Sequence, residues 1–299
     1  MSADPSSPPP LLAGLGAIAE RYDGYLVDLW GVMHNGVAPY PAAVDCLARL
    51  KRQGKHVLLL SNAPRRAEDA KRRSAGIGID PALYDDLICS GEETWRDLKA
   101  FDDPFYAGLG RRCLPIMARK DASLLDGLDL AIAADPEAAD FLLAVGVEGP
   151  QDRVGHFRPL LEAARARDLP MVCANPDLEV VRGGVREICA GAIAEAYEAM
   201  GGRVRYHGKP HAGIYRRCFD RLAPIRHTRV LAVGDSLRTD IAGSGAAGID
   251  SILVLGGLHE EELGGEAAMR EAAADPQRMA ALFEPWPHRP TYLMTRFGW

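Results

Sequence analysis

Short apolar runs alternate along this chain with segments that carry apolar residues at helical spacing. The runs predict buried strands at 25–29, 56–60, 86–89, 141–145, 170–174, 203–206, 229–233 and 251–255. The helical spacing, with Pro or Gly near several ends, predicts helices at 41–52, 64–74, 154–167, 191–200, 211–222 and 239–247. Apolar strands separated by helices are typical of a parallel sheet with helical crossovers. We therefore predict an α/β protein built on a doubly wound, Rossmann-like parallel sheet.

The pattern falls into two α/β regions, and it does not show by itself whether the first and last parts of the chain share a sheet. A length of 299 residues suits one large domain or two modest ones. With 47% hydrophobic and 25% charged residues, the chain can bury a core without disulfides or structural metal. The Pro-rich segment 284–290 and Trp299 predict a tail that packs on the core or on the partner subunit of a homodimer.

The net charge of −6 argues against a protein that coats nucleic acid, which needs a basic face. A small anionic substrate remains compatible, because a local site can be positive in an acidic protein. The sequence shows no run of 18 apolar residues and no secretory signal pattern, so we expect no membrane association and a cytoplasmic location. The six scattered cysteines are expected to be reduced, buried thiols.

Polar side chains follow three of the predicted strands. Asp28 ends the first strand, Ser61 and Asn62 end the second, and Asp235 follows the late strand at 229–233, with Asp240 five residues further on. Ligands of open parallel sheets bind beyond the carboxyl ends of the strands, where these groups would meet if their strands are neighbours. Alone, each of these residues is more often a turn or helix-cap residue than a functional one.

Together these groups suggest phosphoryl transfer. An Asp carboxylate is a known nucleophile toward phosphorus. Further carboxylates beside it would repel it unless a cation such as Mg²⁺ lay between them. The Ser61 hydroxyl and the backbone N–H groups of a helix start can hold phosphate oxygens, and Lys209 supplies a positive charge.

The segments DLWGV, LLLSNAPR, HGKP and VGDSLRTDI resemble, in order, the four motifs of the haloacid dehalogenase superfamily. The chain is most similar to the NagD-like (class IIA) phosphatases, which CSGEET and ANPDLEVV also resemble. This resemblance implies a hydrolase core formed by 1–92 and 204–299 and an inserted α/β cap at 93–203. It also implies Mg²⁺-dependent hydrolysis of a small phosphorylated metabolite through an aspartyl-phosphate.

The resemblance implies a role for each motif residue. Asp28 would be the nucleophile, and Ser61 and Asn62 would hold the phosphoryl oxygens. Lys209 would offset the charge of nucleophile and phosphate. The metal ligands would be Asp28, Asp235 and the backbone carbonyl of Trp30, and Asp240 would orient the metal ligands or Lys209.

Position 30 departs from the family pattern, which has a second Asp there as general acid and base. General acid–base catalysis contributes about 10²–10⁴-fold. Trp30 is then either an aromatic wall over a slower site, or another group such as His34 serves instead, since the ordinary pKa of histidine suits that role.

In the expected cap, the loop that resembles the family's specificity loop carries Asn175, Asp177 and Arg182, which we predict to contact substrate. Other functions stay open on the sequence alone: a catalytically weakened binding or regulatory homologue, a phosphoryl-accepting signalling domain, or a metal-independent carbon–halogen hydrolase. The last also uses an Asp nucleophile without the second Asp, but it does not need Asp235 and Asp240.

Overall fold

The computed structural model describes residues 8–182, 185–260 and 262–299. Its strands are numbered in chain order: β1 (Gly24–Val27), β2 (His56–Ser61), β3 (Asp86–Cys89), β4 (Arg112–Ile116), β5 (Ala131–Ile132), β6 (Phe141–Ala144), β7 (Met171–Cys173), β8 (Glu179–Arg182), β9 (Val185–Ile188), β10 (Val204–Tyr206), β11 (Val230–Gly234), β12 (Asp250–Val254) and β13 (Tyr292–Met294).

The α-helices are α1 (Pro41–Arg52), α2 (Ala67–Gly76), α3 (Ser90–Ala100), α4 (Pro104–Ala107), α5 (Val154–Ala166), α6 (Ala190–Ala199), α7 (Ala212–Leu222), α8 (Ala242–Ala246), α9 (Glu266–Ala274) and α10 (Pro276–Phe283). A π-helix at Leu237–Ile241 leads into α8. The described chain forms two compact units, one from residues 8–61, 71–87 and 215–299 and the other from 62–70 and 88–214. The domain boundaries expected above stay a prediction.

The first unit is built on a six-stranded sheet in the order β13-β12-β11-β1-β2-β3. The pairs of β1 with β2 and β11, of β11 with β12, and of β12 with β13 are parallel. Strands β1 and β11 are buried along their whole length, as strands covered on both faces must be. The early and late parts of the chain therefore share one sheet, which the pattern alone did not show, and the predicted α/β class is confirmed.

The second unit has a five-stranded sheet in the order β10-β7-β6-β4-β5, again with parallel pairs. One face packs on α5 and α6 through a core that includes Leu142, Leu161 and Tyr197. The other face holds Phe141, Leu143 and Tyr106. Strands β8 and β9 form a separate antiparallel hairpin.

Several elements differ from the predicted pattern. Strands β4, β5, β8, β9 and β13 were missed, and so were α3 and α4. The helix expected at 64–74 begins only at Ala67. The segment expected as one helix at 239–247 is a π-helix followed by the short α8.

The C-terminal tail packs on its own chain. Leu15 donates its N–H to the carbonyl of Gly298 (2.8 Å), and the Arg49 guanidinium lies 5.7 Å from the Trp299 ring centroid. A Cβ on Gly14 would lie 2.3 Å from the Trp299 carbonyl oxygen. All six cysteines are buried, as expected. Among the described residues, no helix has the length and apolar character needed to cross a bilayer.

Candidate active site

Three buried carboxylates meet in the first unit. One oxygen from each of Asp28, Asp235 and Asp240 lies within 4.8 Å of the others. The three residues are only 4–7% exposed. Carboxylates this close and this buried repel one another unless a cation lies among them, and oxygen ligands of this kind suit a hard divalent ion. The donor set therefore fits a divalent metal ion.

The order of the strands explains why these residues meet. β1 lies between β11 and β2, with Val27 level with Val233 on one side and Leu59 on the other. The N–H of Asp28 continues the ladder by donating to the carbonyl of Val233 (2.9 Å). Because the strands are parallel, Asp28, Ser61 and Asp235 emerge at the same edge of the sheet, as strand ends in this fold do.

Asp235 sits in a slot lined by two glycines. A Cβ on either Gly31 or Gly257 would come within 2.0 Å of Asp235 Oδ2. The same oxygen accepts a hydrogen bond from the N–H of Leu258 at 3.0 Å. Gly31 also has φ of +77°, which favours glycine. The carboxylate orientation is thus set by backbone on both sides.

Asp240 is held from the π-helix. Its Oδ2 accepts from the N–H of Ser236 at 3.2 Å, while Ser236 Oγ accepts from the N–H of Thr239 at 3.2 Å. A Cβ on Gly234 would lie 2.1 Å from Asp240 Cγ. The side chain is therefore packed directly against the end of β11, which brings it to Asp235.

The loop after Asp28 fixes the indole of Trp30. The His34 ring meets it edge-on, with centroids 5.3 Å apart and planes at 78°. A Cβ on Gly36 would lie 2.2 Å from the indole, so the loop crosses closely over the ring. Trp30 is a built-in wall of the loop and offers only an N–H, with no group able to accept a proton.

His34 is a poor acid or base in this setting. It is 7% exposed, and desolvation lowers its pKa from 6.5 to about 4. Its Nδ1 accepts from the N–H of Gly36 at 2.9 Å, so the neutral ring carries its proton on Nε2. A change in rate between pH 6 and 7 is therefore not expected from this group.

In the second unit, the side chain of Asn62 makes two hydrogen bonds to the backbone of Lys209. Asn62 Oδ1 accepts from the Lys209 N–H at 2.7 Å, and Asn62 Nδ2 donates to the Lys209 carbonyl at 3.0 Å. The other Nδ2 hydrogen goes to Asp177 Oδ1 at 2.8 Å. Both N–H bonds of the amide are used, so any contribution of Asn62 to phosphate binding must come from its backbone. Lys209 itself is 3% exposed and is not a solvated surface lysine.

Of the residues predicted to contact substrate, Asn175 and Asp177 are tied to each other. Asn175 Oδ1 accepts from the Asp177 N–H at 3.0 Å, which shapes the turn at this loop. The side chain of Arg182 lies outside the described residues, although its backbone ends β8. Asp177 therefore acts on Asn62 in this structure.

Sequence reasoning missed a buried group behind Lys209. Glu93 Oε2 accepts from the Gly208 N–H at 2.9 Å and lies 3.6 Å from His207 Nδ1. The other ring nitrogen of His207 hydrogen-bonds the Tyr106 hydroxyl. Gly208 has φ of +95°, and a Cβ there would lie 2.5 Å from Asn62 Oδ1. The sequence indicated these two residues only by their location in segments that resemble the family, since Glu93 lies in CSGEET and His207 in HGKP.

Comparison with known proteins agrees with this geometry. The family described as haloacid dehalogenase-like hydrolase matches residues 25–131, and the HAD-hydrolase-like family matches 206–281. Chronophin of Bos taurus is 30% identical over 262 residues, which cover 84% of this chain and 86% of chronophin. The chain belongs to the haloacid dehalogenase superfamily. The resemblance seen in its four motifs is thereby confirmed.

Other superfamily members share most of its length. The ribonucleotide monophosphatase NagD of Escherichia coli K12 is 27% identical over 237 residues, 78% of this chain and 87% of NagD. The crystal structure of a haloacid dehalogenase-like hydrolase from Brucella suis has a TM-score of 0.80 and 28% identity, covering 96% of this chain and all of that one. These relatives place the chain in the NagD-like, class IIA branch.

Proposed function

We propose that the protein is a Mg²⁺-dependent phosphatase that hydrolyses small phosphorylated metabolites through an aspartyl-phosphate on Asp28. The observation that carries the proposal is the buried cluster of Asp28, Asp235 and Asp240 at the carboxyl ends of neighbouring parallel strands. The relatives support the same reaction class, because NagD is named a ribonucleotide monophosphatase. The sequence pattern further favours a cytoplasmic enzyme, and the proposal holds for a monomer or a homodimer.

The reaction would run in two displacements at phosphorus. A carboxylate oxygen of Asp28 would form a bond to phosphorus while the bond to the ester oxygen breaks, and the departing alkoxide would take up a proton from solvent. Water then attacks phospho-Asp28, releasing phosphate and restoring the carboxylate. A bound Mg²⁺ would offset the charge that builds up on the phosphoryl oxygens. The Ser61 hydroxyl would donate to a phosphoryl oxygen, and Lys209 would neutralise charge.

Trp30 makes the departure of the leaving group the difficult step. Neither its indole nor the neutral, Gly36-bonded His34 supplies a proton readily. Removal of a general acid costs about 10²–10⁴-fold in rate, and esters of acidic alcohols or phenols suffer least. The proposal therefore favours substrates with good leaving groups and a slow second displacement.

The decisive experiment is a screen of phosphorylated metabolites with Mg²⁺, with Asp28→Asn as the control. We expect phosphate release that stops with excess EDTA and with Asp28→Asn. Release that continues in EDTA would contradict the metal-dependent reaction. It would point to the metal-independent alternative, against which the retained Asp235 and Asp240 already argue. A wild-type protein that binds substrates without turnover would identify the weakened binding homologue.

A further inference from the structure

The C-terminal tail reaches the loop that orients Asp235. After β12, the N–H groups of Leu255 and Gly256 donate to the carbonyls of Met294 (2.9 Å) and Thr295 (3.0 Å). The next residues of this loop, Gly257 and Leu258, are the ones that touch the Asp235 carboxylate. Two segments that are 40 residues apart in sequence therefore meet directly behind the acidic cluster.

Arg296 holds this loop from two sides. Its Nη1 donates to the carbonyl of Gly256, and its Nη2 donates to both carboxylate oxygens of Glu260 at 3.0 Å each. The guanidinium thus bridges the first and last residues of the 256–260 loop, Gly256 and Glu260. Its planar fork is suited to such bidentate contacts and cannot be copied by lysine.

The contact between tail and loop is as close as backbone allows. A Cβ on Gly256 would lie 2.6 Å from the Thr295 carbonyl oxygen and 2.8 Å from Arg296 Cδ. On the other side of the loop, a Cβ on Gly257 would lie 2.0 Å from Asp235 Oδ2. Gly256 therefore lies against Arg296, and the adjacent Gly257 lies against Asp235.

We infer that Arg296 is a positioning residue for the metal site: it fixes the 256–260 loop so that the Leu258 N–H and the Gly257 backbone hold Asp235 in its ligating orientation. This inference rests on the proposed function, since Asp235 is a ligand only if the site holds a metal. Residues that orient metal ligands from behind are worth about 10–100-fold in metal affinity. Because Arg296 acts through the loop, we expect an effect of about tenfold.

The test is Mn²⁺ binding to the full chain by calorimetry, a readout independent of turnover. Arg296→Met, which keeps the aliphatic stem and removes the fork, should weaken Mn²⁺ binding about tenfold. Arg296→Lys should recover only part of it, because one ammonium cannot bridge Gly256 and Glu260. Arg278→Met is the matched control, since Arg278 contacts Leu263 outside this loop (3.3 Å) and should leave Mn²⁺ affinity unchanged.

The outcomes separate the two proposals. If wild type and Asp235→Ala bind Mn²⁺ equally, or if neither binds it, the proposal of a metal site at Asp235 is wrong. If wild type binds Mn²⁺ through Asp235 but folded Arg296→Met binds it equally well, the positioning role of Arg296 is wrong. If Arg296→Met does not fold, Glu260→Gln decides: affinity lowered threefold or more supports the role, and unchanged affinity overturns it.

Discussion

His34 should make the folded protein less stable in mild acid. The ring is buried in the neutral form, and its pKa in the fold is about 4 against 6.5 for an exposed histidine. Because the folded pKa is lowered, the unfolded chain binds the proton first as the pH falls. The stability that neutral His34 contributes is therefore complete above about pH 6.5 and is lost as the pH falls toward 4.

The size of the effect follows from the two pKa values. One pKa unit corresponds to about 1.4 kcal/mol, so the full difference is about 3 kcal/mol in the free energy of unfolding. At pH 5, where the unfolded histidine is almost fully charged and the folded one is mostly neutral, about 2 kcal/mol of this is lost. That is a large fraction of the stability of an ordinary protein.

The assay compares wild type with His34→Asn by urea unfolding at pH 8 and pH 5. Asn cannot titrate, and its Oδ1 replaces Nδ1 as the acceptor for the Gly36 N–H. We expect wild type to lose about 2 kcal/mol more than the variant between the two pH values. An equal loss in both proteins would refute the reasoning, and so would an imidazole NMR signal, absent from His34→Asn, that titrates near pH 6.5.

Two substitutions and one comparison of substrates test the site further. Gly257→Ala should weaken Mn²⁺ binding by about 10–100-fold in calorimetry, because its Cβ would displace the Asp235 carboxylate. A Mn²⁺ affinity within about threefold of wild type would contradict this. Asp177→Ala should lower kcat for every phosphate ester to the same extent, because Asp177 accepts a 2.8 Å hydrogen bond from Asn62. A changed preference among phosphate esters would instead support the prediction that Asp177 contacts the substrate. Because position 30 carries Trp instead of an acid, aryl phosphates should react faster than alkyl phosphates and show a burst of released phenol. A reaction rate that does not depend on the pKa of the leaving group would show that another residue supplies the proton.

Five of the six strands of the first sheet were predictable because each contains a run of apolar residues, whereas the short β13 was missed. Parallel strands covered on both faces need such runs, and β1, β2 and β11 have them. The strands missed in the second unit lack this signal. β4 contains a proline and begins at an exposed arginine, and β5 is two residues long and exposed. Their pairing depends on neighbours distant in sequence, which local pattern does not report.

The hydrophobic pattern also did not predict which strands are neighbours in the sheet. Asp28 and Asp235 lie 207 positions apart in sequence, and only the parallel pairing of β1 with β11 brings them together. Their chemistry was recognisable only in combination, because a single Asp at a strand end is typical of a turn or a helix cap. The pairing of the strands brings these two residues, which are distant in sequence, into one cluster.

The residues that hold the site were invisible for a different reason. Asp235 is oriented by a backbone N–H and by the space that two glycines leave, and every residue except proline has an N–H. The family resemblance assigns Asn62 to the phosphoryl oxygens, whereas in the fold its side-chain amide hydrogen-bonds the backbone of Lys209, 147 residues away in sequence. Side-chain chemistry can be read from a sequence by type, but orientation depends on contacts through backbone atoms. A substitution that leaves Asp28, Asp235 and Lys209 intact can therefore still remove activity by disturbing Gly257 or Asn62.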